Sequence, residues 1–259
     1  MSYHTQQFPN SRSWFDPIYQ YSAQGVAYGY GLIGKGQERA MEQQEEHCRQ
    51  DLHSGNYRST KCFNLLDEIV ANSLGGKSSP YKVSQYDQRQ WELKKGSREF
   101  PPGHKDVEAY LGQAAKISNA PIEQVLAAIH ATPSWTAGQR YRECTDPPYN
   151  ALAHQDGLGV TPDIIDLLNY DPTSPTNAHY PHQQKIRLLF FNGVHDLICN
   201  HVGNENALEH LQWKFREEYI TATRYGWKAA SIDKLGGYIK EYDNLFFLKV
   251  LNSGHMVPM

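Results

Sequence analysis

The sequence predicts an α/β chain: a mainly parallel sheet near the C-terminus, preceded by a polar and largely helical region. Two compact apolar runs, KIRLLFFNG (185–193) and NLFFLKVLN (244–252), are bounded by turn residues, as strands buried on both faces are. Between them lies ENALEHLQW (205–213), whose apolar residues recur at helical spacing. Strand, helix and strand in succession is the pattern of a crossover between parallel strands.

The earlier elements follow in order. WFDPIYQYSAQGVAYGYGLI (14–33) opens on a proline turn and leads into a short helix ended near Gly31. Residues 35–53 are rich in Glu and Gln with Met41 and Cys48 among few apolar positions, which predicts a solvated helix. CFNLLDEIVANSLGG (62–76) places Phe63, Leu65, Leu66, Ile69, Val70 and Leu74 on one helical face and stops at two glycines. Residues 75–105 show no sustained period and predict mostly loop. Helical periodicity returns in DVEAYLG (106–112) and in PIEQVLAAIHA (121–131), with Pro121 suited to a first turn. The segment 132–183 is rich in Pro, Asp, Asn and His, interrupted by TPDIIDLLNY (161–170), a helix expected to be capped by Thr161 before Pro162.

At 259 residues the chain is long enough for one large domain. A net charge of −3 and dispersed lysines and arginines give no basic stripe, which argues against nucleic acid as a partner. No apolar run approaches the ~18 residues of a membrane span, and MSYHTQQFPN lacks the features of a leader. The mean hydropathy of −0.66 is low for a compact α/β protein and suggests long exposed insertions or a core missing some elements. Cys48, Cys62, Cys144 and Cys199 are too few for a disulfide scaffold and show no paired zinc spacing. Cys48 and Cys62 flank a polar stretch containing Gly55; from the sequence they could close a small loop or remain thiols.

In open α/β sheets functional groups gather beyond the carboxyl ends of strands. Asp196 follows the first apolar run and His255 the second, 59 positions later. In the α/β-hydrolase arrangement the triad order is nucleophile, acid, histidine, so these two match the last members. A buried carboxylate would fix one imidazole nitrogen while the other takes the proton of a serine hydroxyl. On spacing alone a turn aspartate and a loop histidine remain the plain alternative. His195, Asp196, Cys199 and His201 are of metal-ligand type, yet their mixed spacing fits no defined zinc pattern, and no metal is expected. His179 and His182 are expected in a solvated loop, and the five tryptophans in packing.

GVHDLICNHVG (193–203), NSGHMVP (252–258), LQW (211–213) and GGYIKEYDNLFFLKV (236–250) resemble segments of the serine carboxypeptidases. WFDP (14–17), GLI (31–33), YDQR (86–89) and the stretch from YLG to VLAAIHA (110–131) do so as well, while 75–105 and 145–183 match loosely. The resemblance implies an incomplete α/β-hydrolase-type fold, with a helical insertion (lid) and return over about 34–150 and the last strands over about 184–259. It implies Asp196 as triad acid, His255 as triad base and Met256 beside the pocket for the departing residue. Cys199 would be a buried free thiol near the site, Asn200 a support of its loop, and Cys48–Cys62 the short disulfide. Cys144 matches a position whose partner cysteine in the family lies near the N-terminus and has no counterpart here.

The resemblance further implies peptide or protein C-termini as substrates, no cofactor, and a secreted or lysosomal/vacuolar location. No Gly-x-Ser-x-Gly elbow occurs in the 259 residues: GKSSP (76–80) lacks the second glycine, and Ser253 stands beside the histidine. The expectation is therefore the C-terminal portion of such an enzyme, with the N-terminal half as its missing partner and no activity of its own. An acyltransferase on the same triad and a non-catalytic binding module that has lost its nucleophile are the alternatives.

Overall fold

A computed structural model describes residues 15, 16, 18, 19, 21–57, 59–71, 81–93, 119–138, 151, 158–174, 184–228, 234–255 and 257. Met256, Cys144, Leu74, the DVEAYLG segment and the HYPH histidines lie outside them.

Three helices open the described chain: α1 (Ala23–Gly29), α2 (Lys35–His53) and α3 (Thr60–Ala71). α1 stops where Gly31 takes a φ of 76°, which a side chain would strain. α2 differs from the solvated helix its composition predicts. Glu38, Met41, Glu45, Cys48 and Leu52 recur at intervals of three and four and are all buried. The buried Glu45 is compensated, because Ser22 Oγ donates to it at 3.0 Å and Gln24 and Arg49 add further hydrogen bonds. α3 buries Leu65, Leu66, Ile69 and Val70, as its periodicity predicts, together with Cys62, while Phe63 of the predicted face is only half-buried.

A Cys48–Cys62 disulfide joins α2 to α3 across a separation of 14 residues. By loop-closure entropy a loop of that size contributes about 3 kcal/mol. The helices share one apolar cluster with Val83, Leu197, Ile198 and Cys199, so the region packs against the loop that carries Asp196.

The stretch expected as loop contains a short antiparallel hairpin, β1 (Tyr81–Val83) and β2 (Trp91–Leu93). Runs of three residues are too short for alternation to be visible in sequence. α4 (Ile122–Ala128) and α5 (Thr132–Thr136) follow, with Pro121 at the capping position just before α4. In α6 (Thr161–Asn169) Thr161 is the first helical residue and not its cap. Its hydroxyl instead donates to the Phe15 carbonyl at 3.1 Å and also pairs with Asp16 Oδ2, tying α6 to the start of the described chain.

The remaining elements are β3 (Leu188–Gly193), α7 (His201–His210), α8 (Arg216–Thr221), β4 (Tyr225–Trp227), β5 (Gly237–Tyr242) and β6 (Leu245–Val250). Their sheet runs β3-β6-β5-β4. The expected parallel pair is present as β3 and β6, in register from Leu188 opposite Leu245 to Gly193 opposite Val250. Among the described strands the sheet is otherwise antiparallel, so it is mixed where the sequence predicts mainly parallel. The difference arises at the two-residue turn Asp243–Asn244, where Asp243 adopts a φ of 51° and folds β5 back onto β6.

β3 is also more open than its apolar run predicts, with Leu189 45% exposed, because it has one neighbour among the described strands. A second apolar cluster, including Phe15, Leu168, Leu208, Trp213, Tyr219, Leu245 and Phe247, joins α6, α7 and α8 to the sheet.

Candidate active site

Asp196 and His255 leave the carboxyl ends of neighbouring parallel strands, and the register that pairs Gly193 with Val250 brings their loops together. The fit is close. A Cβ on Gly193 would lie 2.3 Å from the Ser253 carbonyl oxygen and 2.2 Å from that of Gly254, so no other residue fits without backbone movement. Val194 N donates to Val250 O at 3.0 Å and His195 N to Ser253 O at 2.9 Å, extending the strand pairing into the loops.

Asp196 is 2% exposed and both its oxygens are used. Oδ1 accepts from the backbone N–H groups of Ile198 at 3.1 Å and Cys199 at 3.0 Å. Oδ2 faces His255 Nδ1 at 2.9 Å, so Nδ1 carries the proton that Asp196 accepts. This is the orienting contact expected of a triad acid and base, made from positions 59 apart in the chain. Burial works against the imidazolium of His255, but the Asp196 charge and hydrogen bond, with the Cys199 side chain beside it, outweigh burial and push its pKa up to about 11.

Cys199 is buried and forms no disulfide. Among the described residues, Asp196, Cys199 and His255 each offer a ligand-type atom within 4.8 Å of the others and form the group that could hold a cation. His195 and His201, the other members of the sequence-based metal set, are not part of that group among the described residues. Asn200 caps α7, its Oδ1 accepting from Gly203 N at 2.8 Å. Behind the loop, Asn192 Nδ2 donates to Cys199 O at 2.8 Å and Asn204 Nδ2 to Asn192 Oδ1 at 2.8 Å.

Residues 84–90, between β1 and β2, contribute a part that spacing alone does not announce. Leu197 N and Ile198 N donate to Gln85 O at 3.1 and 3.0 Å, and Gln88 N donates to His195 O at 3.0 Å. On the histidine side, His255 N donates to Tyr86 O at 2.7 Å and Arg89 Nη1 to Asn252 O at 3.0 Å. One turn therefore holds both loops. The YDQR resemblance is its signal in the sequence.

A second group of charges lies on the α7 flank. Glu205 pairs with Arg224 and, at 2.7 Å, with Lys249, while Lys240 pairs with Glu209 at 2.6 Å. Burial opposes the Glu205 carboxylate, and the surrounding lysines and arginine still hold it below its usual range. Lys249 is pulled below the ordinary ammonium range by burial and by Arg224, which shares its carboxylate. His201 is driven down to about 4, first by burial and then by Lys249 and Arg224.

Comparisons with known proteins point to one family. The serine carboxypeptidase family description matches residues 12–259. A pheromone-processing carboxypeptidase KEX1 from Phytophthora infestans is 28% identical over 246 residues, 95% of this chain and 36% of that protein. Serine carboxypeptidase S10 family member 2 of Dictyostelium discoideum is 30% identical over 90% of this chain and 36% of its own length. The crystal structure of a prohormone-processing carboxypeptidase from Saccharomyces cerevisiae shares the fold with a TM-score of 0.56 at 19% identity, covering 95% of this chain and 50% of that one. The chain thus spans a little over a third of the curated relatives it matches. With a family match over nearly its whole length, the chain belongs to the serine carboxypeptidase family.

Proposed function

We propose that Asp196 and His255 are the acid and base of a serine-type carboxypeptidase that releases C-terminal residues from peptides through an acyl-enzyme. The observation that carries this reading is the 2.9 Å contact between Asp196 Oδ2 and His255 Nδ1 at the ends of two parallel strands. Family membership supplies the reaction class. Asp196 orients the ring and stabilises the imidazolium; His255 Nε2 takes the serine proton and returns it to the leaving amine.

The nucleophile and the oxyanion donors are assigned to the part of the relatives' length that this chain does not span, since no Gly-x-Ser-x-Gly occurs in it. The N-terminal half is thus the partner this reading requires. Residues of about 34–150 are read as the insertion over the site, and Met256 as a wall of the pocket for the departing residue. The buried Cys48–Cys62 disulfide supports a secretory or lysosomal/vacuolar setting, because such bonds persist in oxidising compartments. No helix among the described residues is long and apolar enough to cross a membrane.

The test is release of the C-terminal residue from a blocked dipeptide by the protein expressed from its whole transcript, alongside His255→Ala. Loss of kcat by roughly 10⁴-fold or more is expected. Equal activity in the variant and the parent would remove His255 from the mechanism.

A further inference from the structure

We propose that the Asp87–Arg89 fork is a positioning device for the base, setting the backbone of the 252–255 loop so that the His255 ring meets Asp196. The proposal rests on the reading of His255 as the base. Arg89 is locked on Asp87 by two side-chain hydrogen bonds, Nε to Oδ1 at 2.8 Å and Nη2 to Oδ2 at 2.5 Å. The Arg89 backbone N–H adds a third to Oδ1 at 3.0 Å. With two nitrogens committed, the planar guanidinium aims Nη1 in one direction, at the Asn252 carbonyl 3.0 Å away.

Asn252 lies two residues beyond β6, where the loop turns, with a φ of 54°, a conformation that asparagine tolerates better than most residues. Three residues on, His255 N is held by Tyr86 O at 2.7 Å. Between these two anchors Gly254 lies so close to the turn that a Cβ there would sit 2.6 Å from Tyr86 O and 2.8 Å from Asp87 Cβ. The path of the loop is therefore dictated by residues 86–89 at its start, middle and end. The same turn holds the acid loop through Gln85 and Gln88, so acid and base share one reference body. A hydrogen bond of 2.9 Å between two such loops tolerates little relative displacement.

Burial opposes the Asp87 carboxylate, but the Arg89 hydrogen bonds outweigh it and hold its pKa below the usual range, with His195 adding to the lowering. Arg89 is raised by the same pairing, and Tyr30 is the other titratable group facing the fork. The fork thus persists across the range in which His255 works.

The experiment is NMR titration of the His255 ring in the 259-residue chain, in Arg89→Lys and in Asp196→Asn, with far-UV circular dichroism to confirm the fold. Lysine keeps the charge but cannot bind Asp87 in a fork and the Asn252 carbonyl together. The expected result is a His255 midpoint lowered by about one unit or more in Arg89→Lys, with loss of the downfield Nδ1 proton signal. If Asp196→Asn lowers the midpoint while Arg89→Lys leaves both readouts at the parent values, the positioning role is overturned and the acid–base pair stands. If Asp196→Asn also leaves His255 unmoved, the pair itself fails and the positioning role fails with it. Should Arg89→Lys lose its fold, Asp87→Asn breaks the fork with the guanidinium still present and is judged by the same two readouts.

Discussion

Two histidines six residues or fewer from the ends of the same helix-and-strand layer have their proton affinities driven in opposite directions. His255, at the end of the sheet, faces one carboxylate whose other oxygen is already satisfied by backbone donors, and its hold on a proton is strengthened. His201, at the start of α7, faces Lys249 and Arg224 with only Glu205 between them, and it is held neutral. Both lose hydration on burial, so desolvation alone does not separate them. The sign of the nearest unshared charge does, and the flank carries more cations than its carboxylates neutralise.

The largest effect is expected where that charge is removed from the first histidine. Asp196→Asn leaves an amide that can present N–H to Nδ1, disturbing the tautomer as well as the charge. In the complete protein kcat is expected to fall by roughly 10⁴-fold. In the isolated chain the His255 midpoint should move down toward the ordinary value of 6.5. A midpoint that stayed high would show that Cys199, not Asp196, sets the state of His255. The sign also has a stability consequence. A raised folded pKa means that the His255 contribution is complete below the unfolded value and is lost as pH rises through about 11, so this end of the sheet is insensitive to mild acid.

The α7 flank should break in a different way. Glu205→Gln removes the carboxylate that Arg224 and Lys249 share, leaving two half-buried cations without their partner. Breaking such a partly exposed pair is expected to cost about 1–3 kcal/mol, measured as a shift in denaturant midpoint at unchanged slope. Replacing Lys249 and Arg224 in addition should recover part of that loss, since the penalty is the uncompensated charge. A loss below about 1 kcal/mol for Glu205→Gln would place these groups in water and dissolve the contrast with Asp196.

How far the two regions were legible in the sequence follows the same division. Asp196 and His255 could be found because each follows a compact apolar strand, and strand ends are where sheets place functional groups. β5 could not, since Lys240 and Glu241 interrupt its pattern; Lys240 is nonetheless 5% exposed, held by Glu209 and the Ile220 carbonyl with Tyr219 beneath it. The buried face of α2 was hidden for a related reason, because Glu38 and Glu45 occupy core positions that composition assigns to solvent. Lys240 and Glu45 are compensated by partners distant in sequence, Glu209 for the one and Ser22 and Gln24 for the other, which have no local signature, whereas Glu38 pairs with Lys35 on its own helix. Cys48 and Cys62 left two outcomes open until the packing of α2 on α3 brought them together.

Acid should distinguish the regions without mutation. The His201 pKa is depressed to about 4 in the folded chain against an ordinary 6.5, so between these values the unfolded state binds more protons and stability falls as pH falls. The full effect is on the order of 3 kcal/mol. His201→Asn, which cannot titrate, should flatten the denaturant midpoint across that interval relative to the parent. If the two profiles stay parallel, His201 is not the group that loads the flank in acid.

The smallest effect concerns the joint between the regions. Asn200 lies one residue before α7 and four after Asp196, buried, with Oδ1 on Gly203 N at 2.8 Å and Nδ2 donating to Leu197 O at 3.4 Å. Asn200→Ala leaves one N–H at the start of α7 without its acceptor, at a cost of about 1 kcal/mol, and Asn200→Asp should restore most of it because a carboxylate accepts the same bond. The consequence for the comparison lies in the two histidines. Asp196 is held by its own bonds to Ile198 N and Cys199 N and by the 84–90 turn, none of which runs through Asn200. The His255 midpoint should therefore be unchanged in Asn200→Ala while the acid transition of the α7 flank shifts. A matched movement of both would mean that the helix start couples the two charge clusters, and that the opposite shifts of His201 and His255 are set together and not by their separate neighbours.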